Sequence, residues 1–366
     1  MNRSNHKRHA AALAALAAGL VLAALGAVPG ARSAHAAHAA GTARHLRIVG
    51  GLAGVNQYTR LEEPFWTKQL PRLTGGQVTA EIVPFDRAGI RGQEMLRLMQ
   101  LGVVPFGTVL LGLSATQEPV FAAPDLAGLN PDMKSVRATV AAFRPILEKT
   151  LRERYGVELL AVYVYPAQVI FCNKPFASLA DLTGRRTRTS SAPQADLVEA
   201  LGGVPVQTGF AEIMANMKSG NIECAITGTM SGNTIGLPQV TTHIDSMAIN
   251  WGLSIFGANV DAWNALPPTL RETLRRELPK LEQAVWSEAE RETGDGIACN
   301  TGSPACRDGH PYKMTEVKPS PTDDARRRSI FAGTVLARWV HRCGAQCAEV
   351  WNRSIGPVTG FQAHAK

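Results

Sequence analysis

The chain of 366 residues has a formal net charge of +8, concentrated at one end: residues 1–36 hold Arg3, Lys7, Arg8 and Arg32 and no acid, so the remainder carries only +4. That balance, with cations set beside acids as in "RETLRRELPKLEQ" rather than along one aromatic-bearing stripe, argues against a nucleic-acid partner. The roughly 330 residues that remain exceed what one hydrophobic core usually organises, about 250–300, so two lobes with their own cores are expected.

Taken in order, the basic start runs into an apolar stretch from Ala10 to Val28 and then into Ala34-His35-Ala36. This pattern predicts a secretory signal peptide over residues 1–36, cleaved after Ala36 or a few residues later. Gly19, Gly26 and Pro29 fit cleavage better than anchoring, and no cysteine follows that would take a lipid. No later apolar run approaches the ~20 residues of a membrane-spanning helix, so an exported soluble protein is expected.

"HLRIVGG" (45–51) reads as a strand ending at two glycines, followed by an amphipathic helix over "YTRLEEPFWTKQLPRL" that Gly75-Gly76 stop. "VTAEIVPF" (78–85) alternates as a strand. A helix from about Gln93 puts Met95, Leu96, Leu98 and Met99 inward, ends at Gly102, and hands over to "VPFGTVLLG". Strand, helix, strand in this order predicts a parallel α/β sheet. The same phrase returns in "VPVQTGFAEIMANMKSGNIECAITG" (204–228), which suggests a second, similar lobe. Between the copies, "GVELLAVYVYPAQVIFCN" (156–173) reads as one long strand shared by both lobes. The last third is helical, over 267–293 and 323–343.

Export favours disulfides over metal for the close pairs Cys299/Cys306 and Cys343/Cys347. "CNTGSPAC" has the Gly and Pro of a small loop, while a Cys343–Cys347 bond needs a helix break near Gly344. Bonds between the two pairs are the rival, since four cysteines permit three pairings. Cys172 and Cys224, inside apolar strand-like runs, are expected to be buried small hydrophobes.

Enzyme templates fail in turn. "GTMSG" (228–232) has its serine one place too late for a nucleophile elbow, there is no His-Glu-x-x-His, and four of the nine histidines fall in or beside the signal. "VGGLAG" (49–54) lacks the dinucleotide glycine spacing and no Walker sequence occurs, so no cofactor or metal is expected.

At "NKPFASLADLTGRRTRTSSAPQADLVEALGGVPVQTGFAEIMANMKSGNIECAITG" (173–228) the sequence resembles the solute-binding subunits of TRAP transporters, the tripartite ATP-independent periplasmic type. The resemblance rests on Asn173-Lys174-Pro175, Leu179 to Arg188, Gly202 to Val206, Phe210-Ala211-Glu212 and Gly220 to Ala225. "LRIVGG", "PFDRAGIRGQEMLRLMQLGVV", "WNALPPTLRETLRREL" and "WNRSIGPVTG" extend it over the whole mature chain. It implies an α/β, two-lobed periplasmic binding protein (type II-like), with mixed or parallel sheets flanked by helices and joined by a long strand and helix hinge. Residues 37–165 would form mainly lobe I, 166–260 mainly lobe II, and 261–366 helices bracing both.

The same resemblance implies a non-catalytic, periplasmic receptor for a small-molecule carboxylate, working with paired integral membrane subunits. Carried over position by position, the carboxylate clamp falls on Arg188, whose planar fork can meet both carboxylate oxygens. Thr227 matches a polar ligand contact, Phe210 an aromatic beside the solute, and Trp251 a residue near the cleft. Gln168 falls where some relatives place a second arginine, and "IECAITG" carries Glu223-Cys224 in place of the family's Asp-Gly. With the apolar "FGTVLLG", these departures point to a mono- or dicarboxylate with a less polar body than a sugar acid. The competing readings are a secreted enzyme on the same scaffold and a receptor that serves a sensor.

Overall fold

A computed structural model describes residues 43–365; the expected signal peptide lies outside the described residues. The strands fall into two sheets. The first contains β1 (Arg44–Gly50), β2 (Val78–Pro84), β3 (Phe106–Leu110), β4 (Val157–Val164) and β10 (Leu253–Asn259), in the order β2-β1-β3-β10-β4. The second contains β5 (Gln168–Cys172), β6 (Arg186–Thr189), β7 (Val204–Gln207), β8 (Cys224–Gly228), β9 (His243–Asp245) and β11 (Thr315–Val317), in the order β11-β9-β5-β8-β6-β7.

The repeated strand–helix–strand phrase is visible in the pairing. β1 lies parallel between β2 and β3, and β6 lies parallel between β7 and β8, so each sheet has the same three-strand heart. Each heart is extended by one antiparallel strand, β10 against β3 and β5 against β8. The inward face expected of the helix after Gln93 is present, with Met95, Leu96 and Met99 fully buried.

The run 156–173 is two strands rather than one. β4 ends at Val164 in the first sheet and β5 begins at Gln168 in the second. Pro166 sits between them, and a residue without an N–H interrupts the ladder. The chain crosses back at Asn250-Trp251-Gly252, and β10 therefore belongs to the first sheet although it follows the strands of the second. The two crossings are held to one another: Gln168 N–H donates to Asn250 O at 2.8 Å, Ile249 N–H to Gln168 O at 2.8 Å, and Tyr165 N–H to Gly252 O at 3.0 Å.

A third connection is the 34-residue helix Pro268–Thr301, which at 1.5 Å per residue is about 50 Å long. Trp286 Nε1 donates to Val162 O of β4 at 2.8 Å, Thr293 Oγ1 accepts Ala167 N–H at the crossing at 3.0 Å, and Asn300 Nδ2 reaches Thr229 O beyond β8 at 2.9 Å. The C-terminal helices touch both sides as well, with Trp339 Nε1 on Pro119 O at 2.7 Å and Arg342 on Asp196 at 2.6 Å.

Disulfides join Cys299 to Cys306 and Cys343 to Cys347, the latter across a helix break where Gly344 takes φ 93°. Cys172 and Cys224 correct the expectation of two free buried thiols, for they form a third bond. Antiparallel pairing places them directly opposite in β5 and β8, with Cα atoms 4.1 Å apart, near the spacing of a non-hydrogen-bonded cross-strand pair. Loop-closure entropy makes this bond the more stabilising: its sequence separation of 52 corresponds to about 4 kcal/mol, and the separation of 7 at Cys299–Cys306 to about 2.5 kcal/mol. Replacing Cys172 and Cys224 by alanine should therefore lower the urea midpoint more than the same change at Cys299 and Cys306; an equal or smaller drop would contradict this account.

Candidate ligand-binding cleft

The carboxyl ends of the parallel strands of both sheets face a cavity of about 480 Å³. In open α/β sheets this is where ligands bind. β3 ends there at Leu110, the loop after β1 brings Leu52, and from the second sheet β6 brings Arg188 and β8 brings Thr227.

Three arginines in "GRRTR" have three fates. Arg185 is half-buried and donates to Lys174 O and Pro175 O, and Arg186, exposed, donates to Gly220 O and Asn221 O while bridging to Glu223. Both stitch surface loops to the end of β6. Arg188, two residues further along the strand, is 3% exposed and lines the cavity. Its Nε donates to Thr208 O at 3.1 Å and its Nη1 to Ile226 O at 2.8 Å, which fixes the guanidinium plane and leaves Nη2 without a protein acceptor. No carboxylate among the described residues lies within ion-pairing distance of it. Burial pulls its pKa down to about 10, against the weaker opposing pull of Glu212. A buried cation held in place but unpaired is half of an ion pair.

Thr227 is buried on β8 and its hydroxyl makes no hydrogen bond within the described residues. Gln168 donates from Nε2 to Pro166 O at 3.1 Å and Trp251 O at 3.4 Å, so Oε1 is the atom left to a ligand. Phe210 forms part of the wall, its ring close to Gly54 of the opposite lobe. These four residues are brought together. Trp251 is not: it is buried away from the cavity wall, and its Nε1 donates to Asn130 O at 3.0 Å, which makes it a core residue behind the crossing.

Two acids escaped the sequence reading because isolated carboxylates carry no spacing signal. Asp125, on the cavity wall, accepts from Asn250 Nδ2, Trp251 N–H and Gly252 N–H, each at 2.8 Å, and thereby clasps the return crossing. Burial raises its pKa to about 6 despite those bonds. Glu62 lies buried near Tyr165, accepting from Gly51 N–H at 2.9 Å and from the Thr108 hydroxyl, and burial raises it to about 7. Among the described residues the one grouping with metal-ligand proximity is Asp295, Cys299 and Cys306, and both of its sulfurs are tied in a disulfide.

Two α/β lobes around a cleft, joined by crossing strands, with an unpaired buried cation on the cleft wall, are the architecture of the two-domain substrate-binding proteins. The chain belongs to the bacterial extracellular solute-binding protein family 7, the DctP family of TRAP receptors, whose family model matches residues 54–297. The curated ectoine-binding periplasmic protein TeaA of Halomonas elongata is 23% identical over 194 residues, which are 51% of this chain and 56% of that protein. Among solved structures, the Bordetella pertussis extracytoplasmic solute receptor DctP7, binding pyroglutamic acid, superposes with a TM-score of 0.72 at 21% identity over 85% of this chain and 98% of its own. A TRAP periplasmic solute-binding protein of Desulfovibrio salexigens with bound orotic acid gives 0.73 at 17% identity, over 84% and 96%. Among the described residues no helix is long and apolar enough to cross a membrane.

A carboxyl whose pKa rises from 4.5 to about 7 on folding binds its proton more tightly in the native state. The stability that Glu62 contributes is complete below its unfolded pKa and is lost as pH climbs through about 7. Glu62→Gln, which keeps an acceptor for Gly51, should flatten the fall in urea midpoint between pH 5 and pH 8, an effect on the order of 3 kcal/mol. An unchanged pH slope in the variant would rule Glu62 out as its source.

Proposed function

We propose that the protein is a periplasmic receptor that captures an organic acid through Arg188 and delivers it to the integral membrane subunits of a TRAP-type secondary transporter. The observation that carries this reading is the guanidinium itself. It is buried, oriented by two carbonyls and, among the described residues, paired with no carboxylate and left with one nitrogen that has no acceptor. A carboxylate supplies the missing charge and accepts from the free nitrogen. The helix Ala192–Ala200 begins at the same wall, with Ser191 and Pro193 lining the cavity, so its positive end adds to the attraction. The receptors for pyroglutamic acid and orotic acid support the same class of solute, since each of those ligands is a carboxylic acid.

Binding is favoured over catalysis because the described cavity wall includes no histidine, lysine or cysteine. Ser190, Ser191 and Ser231 therefore have no histidine or lysine beside them to activate a nucleophile, and the carboxylates on the wall, Asp86, Asp125 and Glu212, each accept backbone N–H groups. Gene neighbourhood separates delivery to a transporter from delivery to a sensor: genes for a small and a large integral membrane subunit beside this one fit transport, and a lone sensor kinase gene fits the alternative.

Native mass spectrometry of the protein as purified should reveal a co-purified acid. Arg188→Ala should weaken that acid's binding by about 2–5 kcal/mol in titration calorimetry, turning a micromolar complex into one near millimolar. Arg188→Lys, which keeps the charge without the fork, should recover only part of the loss. Unchanged binding in the alanine variant would refute the assignment.

A further inference from the structure

Beyond the class of solute, the lining of the cavity bears on how many charges that solute carries and what its body is made of. The wall has two cations and three acids: Arg91, Arg188, Asp86, Asp125 and Glu212. Arg91 is exposed and already ion-paired with Glu94. Asp86 accepts Ala53 N–H at 3.1 Å, Asp125 is occupied by the crossing, and Glu212 accepts Gly209 N–H at 3.1 Å. One unpaired cation therefore faces three acids, and a second carboxylate on the solute would meet negative charge with no positive partner.

The lobe opposite Arg188 contributes Asp86, Arg91, Gln93, Asp125 and Tyr165 to the wall, but the larger part of its face is apolar. Leu52, Val55, Phe85, Leu110, Leu111 and Phe121 form its wall. A cavity of about 480 Å³ is within the range that holds drug-sized ligands, and a four-carbon acid would leave most of it to water against an apolar surface. On the polar side, Gln168 Oε1 remains an acceptor, which a hydroxyl or N–H on the solute would satisfy.

Resting on the reading of the cleft as an acid receptor, we infer that the solute is a monocarboxylate whose body is a bulky apolar ring or branched chain, seated against the Leu110–Leu111 wall while its one carboxylate meets Arg188. Diacids and polyhydroxylated acids are discriminated against by that wall and by the surplus of acids around it. A hydroxyl or N–H near the carboxylate adds a bond to Gln168.

The test uses the mature protein, unfolded and refolded to free it of bound solute, in thermal-shift and calorimetric titrations with three sets of acids. The first set is phenylacetate, 4-hydroxyphenylacetate, 3-phenylpropionate and cyclohexanecarboxylate; the second is succinate and cyclohexane-1,4-dicarboxylate; the third is gluconate. Binding should be confined to the first set, at least tenfold tighter than cyclohexane-1,4-dicarboxylate, and lost in Arg188→Ala. Leu111→Asp, with folding checked by circular dichroism, should weaken 3-phenylpropionate by at least tenfold even if Arg188→Ala proves unstable. Binding led by succinate, the cyclohexane diacid or gluconate, yet abolished by Arg188→Ala, would overturn this inference and leave the acid receptor standing. Binding of acids that ignores Arg188→Ala would overturn both, and no binding from the first set would overturn the inference alone.

Discussion

A guanidinium taken out of water without a counter-charge is the constraint around which the cleft is arranged. Burying an ion is expensive, and two carbonyl acceptors return only part of that cost. The carbonyls come from Thr208, just after β7, and Ile226, on β8, so the strands flanking β6 hold the charge from either side. Functional sites commonly retain such a local cost, and the extensive apolar packing, one cluster running through both lobes and another on the first sheet, makes it tolerable.

The charge is also connected to the junction between the lobes. Asp125 holds Asn250, Asn250 Oδ1 accepts from Gln194 Nε2 at 2.8 Å, and Gln194 Oε1 accepts Ser190 N–H at 2.7 Å, two residues beyond Arg188. This chain of bonds runs from Asp125, at the end of the helical segment Pro119–Asp125, through Asn250 at the return crossing and Gln194 on the helix Ala192–Ala200, to Ser190 at the end of β6. A rotation of one lobe therefore cannot leave the strand that carries Arg188 undisturbed, and motion and recognition share the same polar groups.

Local patterning made much of the fold legible. Glycines at helix ends and alternation in the strands mark both copies of the three-strand heart, while only the family resemblance separated Arg188, which the fold puts on the cleft wall, from Arg185 and Arg186. What stayed hidden is non-local. "LSIFGAN" is buried along its whole length, and nothing within seven apolar-rich residues says that β10 returns to the first sheet. Cys172 and Cys224 lie 52 residues apart and meet only because β5 and β8 pair in one register. Trp251 reads as a cleft aromatic by position, but its indole N–H finds Asn130 O and turns the ring into the core. Asp125 and Glu62 owe their importance to the backbone N–H groups that converge on them, and such convergence has no signature along the chain.

The three connections between the lobes have a kinematic consequence. Two short crossings tied to each other form an axle, and the long helix Pro268–Thr301, fastened at Val162, Ala167 and Thr229, lies along both bodies like a splint. Sliding or separation of the lobes would break all of these attachments together, whereas bending concentrates the backbone change around Pro166 and Gly252 and asks the helix and the C-terminal contacts of Trp339 and Arg342 to flex with it. A bend there changes one angle between two bodies, a single geometric variable that a surface spanning both lobes would sense.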